Sequence, residues 1–318
     1  MSPVIEVRNL TVYYYTKRGV VRAVEDVSFS GDRGDLIAIV GESGSGKSTL
    51  AYSLLKLVPP PGRIVRGDVI IDGVNVLKLE GEELRKARGF LISMVFQDPF
   101  TTLDPLRKVG DQIIDVLVDH GVDGNTALER ARELVKAVGL QPEILNRYPH
   151  QLSGGQRQRI SIAMAIALNP KVLVADEPTT ALDVIVQKQI LDLIDSTRSG
   201  GTTVILITHD IALAAERATK IIVMYAGKIV EMGNKQDVLM SPLHPYTKGL
   251  ISSVPTLKTE TWPKSIPGFP PNLLNPPSGC RFHPRCLFAT DICKKEEPLL
   301  IEVKRGHFVS CWLYGGKR

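Results

Sequence analysis

The segment GESGSGKST at residues 41–49 decides the fold of this chain. It fits the pattern G-x-x-x-x-G-K-[S/T], follows the apolar run Leu36–Val40 and precedes a helical pattern that starts near Thr49. A short continuous apolar run is typical of a buried parallel strand that leads into a loop. The segment therefore predicts a phosphate-binding loop between a strand and a helix, called the phosphate loop below.

The phosphate loop contains the residue types that a bound triphosphate needs. Its glycines let the backbone approach the phosphates, the amides of residues 43–48 point inward, and the helix N-terminus adds favourable partial charge. Lys47 would place its charge on the β- and γ-phosphates, and Ser48 would offer a hydroxyl to Mg²⁺. A surface loop rich in Gly and Ser is the alternative, which the Lys and Ser in register behind a buried strand disfavour. The predicted nucleotide contacts here are Gly41, Ser43, Gly44, Gly46, Lys47, Ser48 and Thr49.

Two carboxylates follow a second apolar run, in VLVADEPTTALD at 172–183. Asp176 could hold Mg²⁺ through water, and Glu177 could orient and polarise an attacking water. Taken alone, the pair could equally be an acidic turn in solvent. Gln97, in MVFQDP, could reach Mg²⁺ and the same water, and His209, in ITHD at 207–210, could bond a γ-phosphate. A lone His or Gln is more often an ordinary structural residue. The predicted catalytic residues are Glu177, His209, Lys47 and Gln97, and the predicted Mg²⁺ ligands are Ser48, Gln97 and Asp176.

The segment LSGGQ at 152–156 predicts a second phosphate site. Ser153 and two glycines open a long helical pattern, and a helix N-terminus suits a phosphate. One chain already has a phosphate loop, so a second site makes sense if it serves the nucleotide of a partner. The alternative is an ordinary helix cap.

Strand and helix patterns alternate along the chain, which predicts an α/β fold with a mainly parallel sheet. Besides residues 36–40, strand patterns cover 5–12, 172–175, 203–207 and 221–225, and a helical pattern covers 187–197. Residues 82–168 carry helical periodicity with little strand signal, so we expect an inserted helical subdomain. Its clearest helix covers 126–138, with Asn125 or Gly124 as a start and Gly139 as a stop.

The composition changes after residue 240. The tail contains 11 of the 21 prolines, and IPGFPPNLLNPP at 266–277 predicts an extended connector. We therefore expect a nucleotide-binding domain over 1–240 and a small C-terminal domain over 241–318. The net charge of +5 indicates an ordinary mixed surface rather than a nucleic-acid site. The N-terminus does not have the pattern of a signal peptide, and no apolar run approaches the ~18 residues that span a bilayer.

The four motifs, in this order and spacing, resemble the ATP-binding cassette of ABC transporters over residues 4–240. The resemblance implies a head-to-tail dimer in which each ATP lies between one phosphate loop and the partner's LSGGQ. It also implies that Tyr14 stacks on the adenine, with Tyr13 and Tyr15 as neighbouring candidates. The remaining nucleotide contacts implied are Ser153, Gly155, Gln156, Asp176, Asp183, His209 and Gln97, and no motif residue departs from the family pattern.

Three further segments resemble the dipeptide/oligopeptide importer subfamily: residues 96–113, 241–255 and 266–286. The resemblance implies a peripheral protein on the cytoplasmic face of the membrane. Its expected partners are a second, homologous ATPase, two permease subunits and an extracytoplasmic solute-binding protein. Oligosaccharide or nickel import stays an alternative, as does a soluble ABC ATPase of repair or translation. Phe100 and Leu103, beyond Gln97, are either an exposed apolar pair for a permease helix or part of the core.

All four cysteines lie in the tail, at Cys280, Cys286, Cys293 and Cys311. Reduced cytosolic thiols disfavour disulfides, and the C-x5-C-x6-C-x17-C spacing lacks the close pairs usual for zinc. Four unrelated free thiols are the remaining alternative. Since some members of the resembling subfamily carry a [4Fe-4S] cluster in this tail, we predict such a cluster on the four cysteines.

Overall fold

The computed structural model describes residues 2–180, 182–254 and 265–315. Met1, Ala181 of the carboxylate motif, and Pro255 and Pro263 of the proline-rich tail lie outside the described residues. The chain divides into two compact units. The first is formed by Met1–Ile5, Gly31–Asp35 and Ile70–Leu206, and the second by Glu6–Ser30, Leu36–Val69 and Ile207–Arg318.

The strands alternate with helices along the chain, as the sequence predicts. The strands are β1 (Ile5–Thr16), β2 (Gly19–Gly31), β3 (Leu36–Val40), β4 (Gly62–Ile71), β5 (Val74–Asn75), β6 (Ile92–Val95), β7 (Val172–Asp176), β8 (Thr203–Thr208), β9 (Lys220–Tyr225), β10 (Lys228–Asn234), β11 (Ile301–Lys304) and β12 (His307–Val309).

The helices are mostly short. They are α1 (Lys47–Leu54), α2 (Gly81–Phe90), α3 (Pro99–Thr102), α4 (Val109–Val118), α5 (Gly124–Ala137), α6 (Gly154–Ile166), α7 (Val184–Ser199), α8 (Ile211–Arg217), α9 (Lys235–Met240), α10 (Pro245–Ser252) and α11 (Asp291–Lys295). Among the described residues, no helix combines the length and the apolar character that crossing a membrane requires.

In the second unit, a sheet is built around β3. This strand pairs in parallel with β9, and all five of its residues are buried. β9 pairs antiparallel with β10, β10 with β12, and β12 with β11. The prediction of a buried strand at 36–40 is confirmed to the residue, because a strand with apolar side chains on both faces leaves little ambiguity in the pattern.

In the first unit, β7 lies between β6 and β8, and β6 pairs with β7 in parallel from Ile92↔Val172 to Val95↔Ala175. The inserted segment is largely helical, and α5 starts after the cap Asp123, whose side chain accepts hydrogen bonds from two backbone amides. The prediction of little strand over 82–168 misses β6. That strand is only four residues long, which is too short for an alternating pattern to register.

A further sheet has the strand order β2–β1–β4–β5. Only part of β1 is visible in the alternation of residues 5–12, and β2 and β4 are missed in the sequence. More buried and less buried residues alternate towards the ends of each strand, but the alternation breaks in the middle, at Ala23 and Val24 in β2 and at residues 65–68 in β4. Periodicity alone therefore underestimates this sheet.

A buried carboxylate fixes the start of the C-terminal segment to the second unit. Glu231 on β10 is fully buried and accepts hydrogen bonds from the backbone amides of Leu243 and His244, each at 2.8 Å. His307 on β12 also lies 2.8 Å from it through Nε2. The described residues 265–277 form neither helix nor strand, in agreement with the predicted connector. The domain boundary near residue 240 stays a prediction.

We expect the substitution Glu231→Ala to lower the free energy of unfolding by about 3 kcal/mol, because it leaves buried donors without their acceptor. Urea unfolding followed by tryptophan fluorescence measures the change. Asp291→Ala is the control, since this carboxylate is 88% exposed and pairs with Lys294 on its own helix. The control should change stability by less than ~0.5 kcal/mol. Equal effects of the two substitutions would contradict the role given to Glu231.

Candidate functional site

The phosphate loop leaves the C-terminal end of β3 and enters α1, as the motif predicts. Lys47 is the first residue of α1 and is 5% exposed. Its ammonium donates to the carbonyl oxygens of Gly41, at 2.8 Å, and Glu42, at 3.0 Å. The lysine therefore lies folded back over the loop, in the position from which it can reach a phosphate.

Two glycines of the loop allow contacts that no other residue would permit. A Cβ on Gly41 would lie 2.2 Å from the carbonyl oxygen of Met224, and a Cβ on Gly46 would lie 2.2 Å from that of Ala23. Gly46 also has a left-handed backbone, with φ of +101°, where it caps α1. The close path of the loop thus depends on the absence of side chains.

The aromatic and hydroxyl candidates near the loop also belong to the second unit. The Tyr14 hydroxyl lies 3.4 Å from Thr49 Oγ1, and the Tyr14 ring is half-buried. Tyr15 is 46% exposed, with the guanidinium of Arg63 over its ring at 5.6 Å. Stacking of adenine on Tyr14 stays a prediction. His209 directly follows β8 and is exposed.

In the first unit, two of the predicted catalytic residues contact each other. Asp176 ends β7 and is 1% exposed, and Glu177 follows it. Gln97 Nε2 donates to Glu177 Oε2 at 3.1 Å, although 80 residues separate them in sequence. The Thr180 hydroxyl donates to the same oxygen at 3.2 Å. Thr180 is a contact that sequence reasoning missed, since nothing in the motif distinguishes it from the neighbouring threonine.

The backbone of Glu177 is strained. Its φ is +44°, a left-handed conformation that costs a residue with a side chain of order 1 kcal/mol or more. The hydrogen bonds from Gln97 and Thr180 hold the carboxylate of this residue. Strain of this kind is commonly found where a side chain must be presented for chemistry.

LSGGQ opens a helix, as predicted. Ser153 caps α6: its hydroxyl accepts from the Gln156 amide at 3.3 Å, and Gln156 Oε1 accepts from the Ser153 amide at 3.0 Å. Asp183 caps α7 in a similar way through the amides of Ile185 and Val186. Each of these side chains therefore has a structural role, and a nucleotide contact by Ser153, Gly155, Gln156 or Asp183 stays a prediction.

The apolar pair beyond Gln97 separates into two roles. Phe100 is 61% exposed, and the guanidinium of Arg157 lies 4.2 Å from its ring centroid. Leu103 is 2% exposed and belongs to the core. The sequence offered an exposed apolar pair or two core residues. In the structure Phe100 is exposed and Leu103 is a core residue, so neither alternative holds for both.

The prediction of a [4Fe-4S] cluster on Cys280, Cys286, Cys293 and Cys311 is wrong. The four cysteines do line one cavity of about 370 Å³, together with aromatic and aliphatic side chains. However, within the part of the chain that the structure describes, no group of three or more His, Cys, Asp or Glu side chains could hold a metal ion. Burial raises the pKa of the Cys280 thiol to about 12, which favours the thiol over the thiolate that metals require. The spacing of the cysteines in the sequence does not give the distances between their thiols in the fold. A separate cysteine-containing module stays a prediction.

Comparisons with known proteins agree with this geometry. Residues 24–180 match the ABC transporter family, and residues 230–293 match the C-terminal region of oligopeptide/dipeptide transporters. The oligopeptide transport ATP-binding protein OppD of Bacillus subtilis (strain 168) is 46% identical over 98% of this chain and 89% of its own length. The chain belongs to the ABC transporter family. The dipeptide transport ATP-binding protein DppD of Caldanaerobacter subterraneus is also similar, at 44% identity over 99% of this chain and 98% of its own length.

The ABC family fold is also found among solved structures. A dimeric ATP-binding cassette in a post-hydrolysis state, bound to ADP and Pi, is 32% identical and superposes with a TM-score of 0.64. The match covers 73% of this chain and 98% of that one. The predicted α/β fold with an ABC ATPase core is therefore confirmed.

We expect Gly46→Ala to weaken ATP binding by about tenfold or more, or ~1.4 kcal/mol, since its Cβ would force the phosphate loop away from Ala23. Titration with a fluorescent ATP analogue measures the affinity. Gly73→Ala is the matched control, because Gly73 has a similar φ of +83° but open space around its Cβ. The control should lose some thermal stability and keep its ATP affinity. An equal loss of affinity in both variants would mean that backbone strain, not the close contact, is responsible.

Proposed function

We infer that this chain is an ATP-hydrolysing subunit of an ABC importer that takes up dipeptides or oligopeptides. The observation that carries the ATPase is the contact between Gln97 and Glu177 at the end of β7, beside the buried Asp176. The solute class rests on the curated relatives and on the matching C-terminal region. The chain itself does not contact the solute in such a system, so the solute-binding partner determines which peptide is taken up.

The proposed reaction is hydrolysis of ATP to ADP and phosphate. Lys47 and the inward-pointing amides of the phosphate loop bind the β- and γ-phosphates. Glu177 orients the attacking water and accepts its proton as the water oxygen bonds to the γ-phosphorus, while the bond from this phosphorus to the bridging oxygen breaks and ADP leaves. Gln97 and Thr180 both donate to one carboxylate oxygen of Glu177 and thereby orient the group that would act on the water. His209 is the proposed hydrogen-bond donor to the γ-phosphate.

Mg²⁺ accompanies ATP in this proposal. Its candidate ligands are the Ser48 hydroxyl, the Gln97 amide oxygen and the Asp176 carboxylate. These are hard oxygen atoms of the kind that Mg²⁺ prefers, and Asp176 is 1% exposed. When bound, the ion neutralises charge on the phosphates.

Dimerisation is part of the proposal, and we favour a homologous but non-identical partner ATPase. Ser153 is exposed at the N-terminus of α6, where a phosphate of the partner's ATP would be stabilised. Val184 and Ile185 follow Asp183 and are 81% and 72% exposed, which is unusual for such side chains. Neighbouring exposed apolar residues suit a face that a partner covers.

The proposed complex includes two permease subunits and an extracytoplasmic solute-binding protein. As a subunit of an importer, the chain would act at the cytoplasmic face of the membrane. The ring of Phe100 is the candidate contact for a permease helix, because it stays 61% exposed beside Arg157 and its position beyond Gln97 could link transport to hydrolysis. The domain limits that we propose are 1–240 for the ATPase, with its helical part at 82–168, and 241–318 for the tail.

The substitution Glu177→Gln tests the ATPase. We expect the turnover number to fall by about 10²–10⁴, as is typical when a general base is lost, while ATP binding is retained. Phosphate release and binding of a fluorescent ATP analogue give the two quantities. Glu216→Gln is the control, since its carboxylate is 62% exposed on α8. Turnover close to wild type in Glu177→Gln would remove Glu177 from the mechanism.

The substitution Ser153→Arg tests the second phosphate site. We expect hydrolysis to be lost, because the long side chain would occupy the position of the partner's phosphate, while the chain's own ATP binding persists. Ser153→Thr is the matched control, as it keeps a hydroxyl that can cap α6. The assay should use the chain together with its partner ATPase. Normal hydrolysis by Ser153→Arg would exclude the proposed dimer.

A further inference from the structure

Two arginines of the segment CRFHPRC at 280–286 have no role in the mechanism above. Arg281 and Arg285 are 7% and 8% exposed. Arginine is almost never buried to this degree unless it is paired, because its charge must be removed from water. Each of them reaches the surroundings of the phosphate loop, within the second unit.

Arg285 binds the second residue of the phosphate loop. Its Nη1 lies 2.7 Å from Glu42 Oε2, and its Nη2 lies 3.0 Å from Glu42 Oε1, which makes a two-pronged ion pair across 243 residues of sequence. Its Nε donates to the carbonyl oxygen of Pro267 at 2.8 Å. The hydrogen bond to Glu42 raises the pKa of Arg285, so the guanidinium stays charged. The planar fork fixes the direction of the Glu42 side chain as well as its distance.

The peptide groups around Glu42 are held at the same time. The Glu42 amide donates to the Tyr246 hydroxyl at 2.9 Å, and the Glu42 carbonyl oxygen accepts from the Lys47 ammonium at 3.0 Å. Tyr246 is fully buried, and its own amide donates to His244 Nδ1 at 3.0 Å. Burial lowers the pKa of His244 to about 3, so the imidazole stays neutral and can accept this bond. Side chain, amide and carbonyl of Glu42 are thus all fixed.

Arg281 supports the other side of the loop. Its guanidinium bonds the carboxylate of Glu25 and the carbonyl oxygen of Ala226. The next residue, Gly227, donates from its amide to the carbonyl oxygen of Ser45 at 2.8 Å and accepts from the Glu25 amide at 2.9 Å. The segment that contains these arginines therefore contacts the phosphate loop directly at Glu42 and reaches Ser45 only through Ala226, Glu25 and Gly227.

We propose that Arg285 is a positioning residue for ATP binding, which holds Glu42 and thereby keeps the phosphate loop and Lys47 in the conformation that binds the triphosphate. This inference rests on the proposed ATPase function. A loop that is already ordered loses less conformational freedom when the ligand binds, so its affinity is higher. The alternative is that Arg285 only attaches the C-terminal segment to the fold. In that case its loss would lower stability and leave the affinity of the folded protein unchanged.

The test is the affinity of the full-length protein for a non-hydrolysable ATP analogue with Mg²⁺, measured by titration calorimetry. We expect Arg285→Met to weaken binding by about tenfold, which corresponds to ~1.4 kcal/mol. Arg285→Lys should give an intermediate affinity, because it keeps the charge and loses the two-pronged geometry. Arg305→Met is the matched control, because Arg305 is an exposed arginine of the tail at 241–318. This variant should bind the analogue as wild type does.

A double-mutant cycle isolates the pair. Glu42→Gln should weaken binding by a similar factor, and the variant that combines Arg285→Met with Glu42→Gln should bind no more weakly than the weaker single variant. Glu42 is 26% exposed, so Glu42→Gln carries the test even where Arg285→Met fails to fold. Wild-type affinity in folded Arg285→Met or in Glu42→Gln, or additive effects in the double variant, would overturn the proposal.

A further pair of measurements distinguishes failure of this inference from failure of the proposed ATPase function. Wild-type protein should bind the analogue, and Lys47→Ala should not. If folded wild-type protein fails to bind, the proposed ATPase is wrong. If wild type binds and all Arg285 and Glu42 variants match it, only the role of Arg285 is wrong.

Discussion

The structure of the second unit depends on how closely backbone carbonyls approach the phosphate loop. The oxygens of Met224 and Ala23 lie where the side chains of residues 41 and 46 would be, so only glycine fits at either position. This contact fixes the loop against β9 and β2, while the Lys47 ammonium bonds to two of its carbonyls. The loop begins at the end of strand β3, and all five residues of this strand are buried.

The first unit meets a different requirement, which is to present a carboxylate at the end of a buried strand. The backbone of Glu177 is in a left-handed conformation, and its side chain is held by Gln97 and Thr180. A strained turn is stable only when its surroundings determine it, and these two hydrogen bonds contribute to that. In the proposed reaction, the second unit supplies the phosphate loop and the first unit supplies the carboxylate.

Local signals in the sequence predicted local features well. The strand at 36–40 follows from its continuous apolar run, and α5 begins at Gly124, which is one of the two starts that the sequence predicts. Both signals need only neighbouring residues. The bond from Arg285 to Glu42 joins residues far apart, and no spacing rule indicates it. The prediction of an iron–sulfur cluster was wrong for the same reason. The sequence shows four cysteines in a short tail, but the packing of the tail determines the distances between their thiols and their burial. Strands β2 and β4 were missed because the alternation of their burial is interrupted in the middle of each strand.

The 243 residues that separate Arg285 from Glu42 in the sequence have a consequence for biosynthesis. A protein is made from its N-terminus, so the phosphate loop leaves the ribosome long before the arginine that contacts Glu42 has been synthesised. Domains generally begin to fold as they emerge. A nascent or prematurely terminated chain that has β3 and α1 but lacks the C-terminal segment has Glu42 without this partner. A segment that is translated later thus completes the surroundings of an element that is translated much earlier.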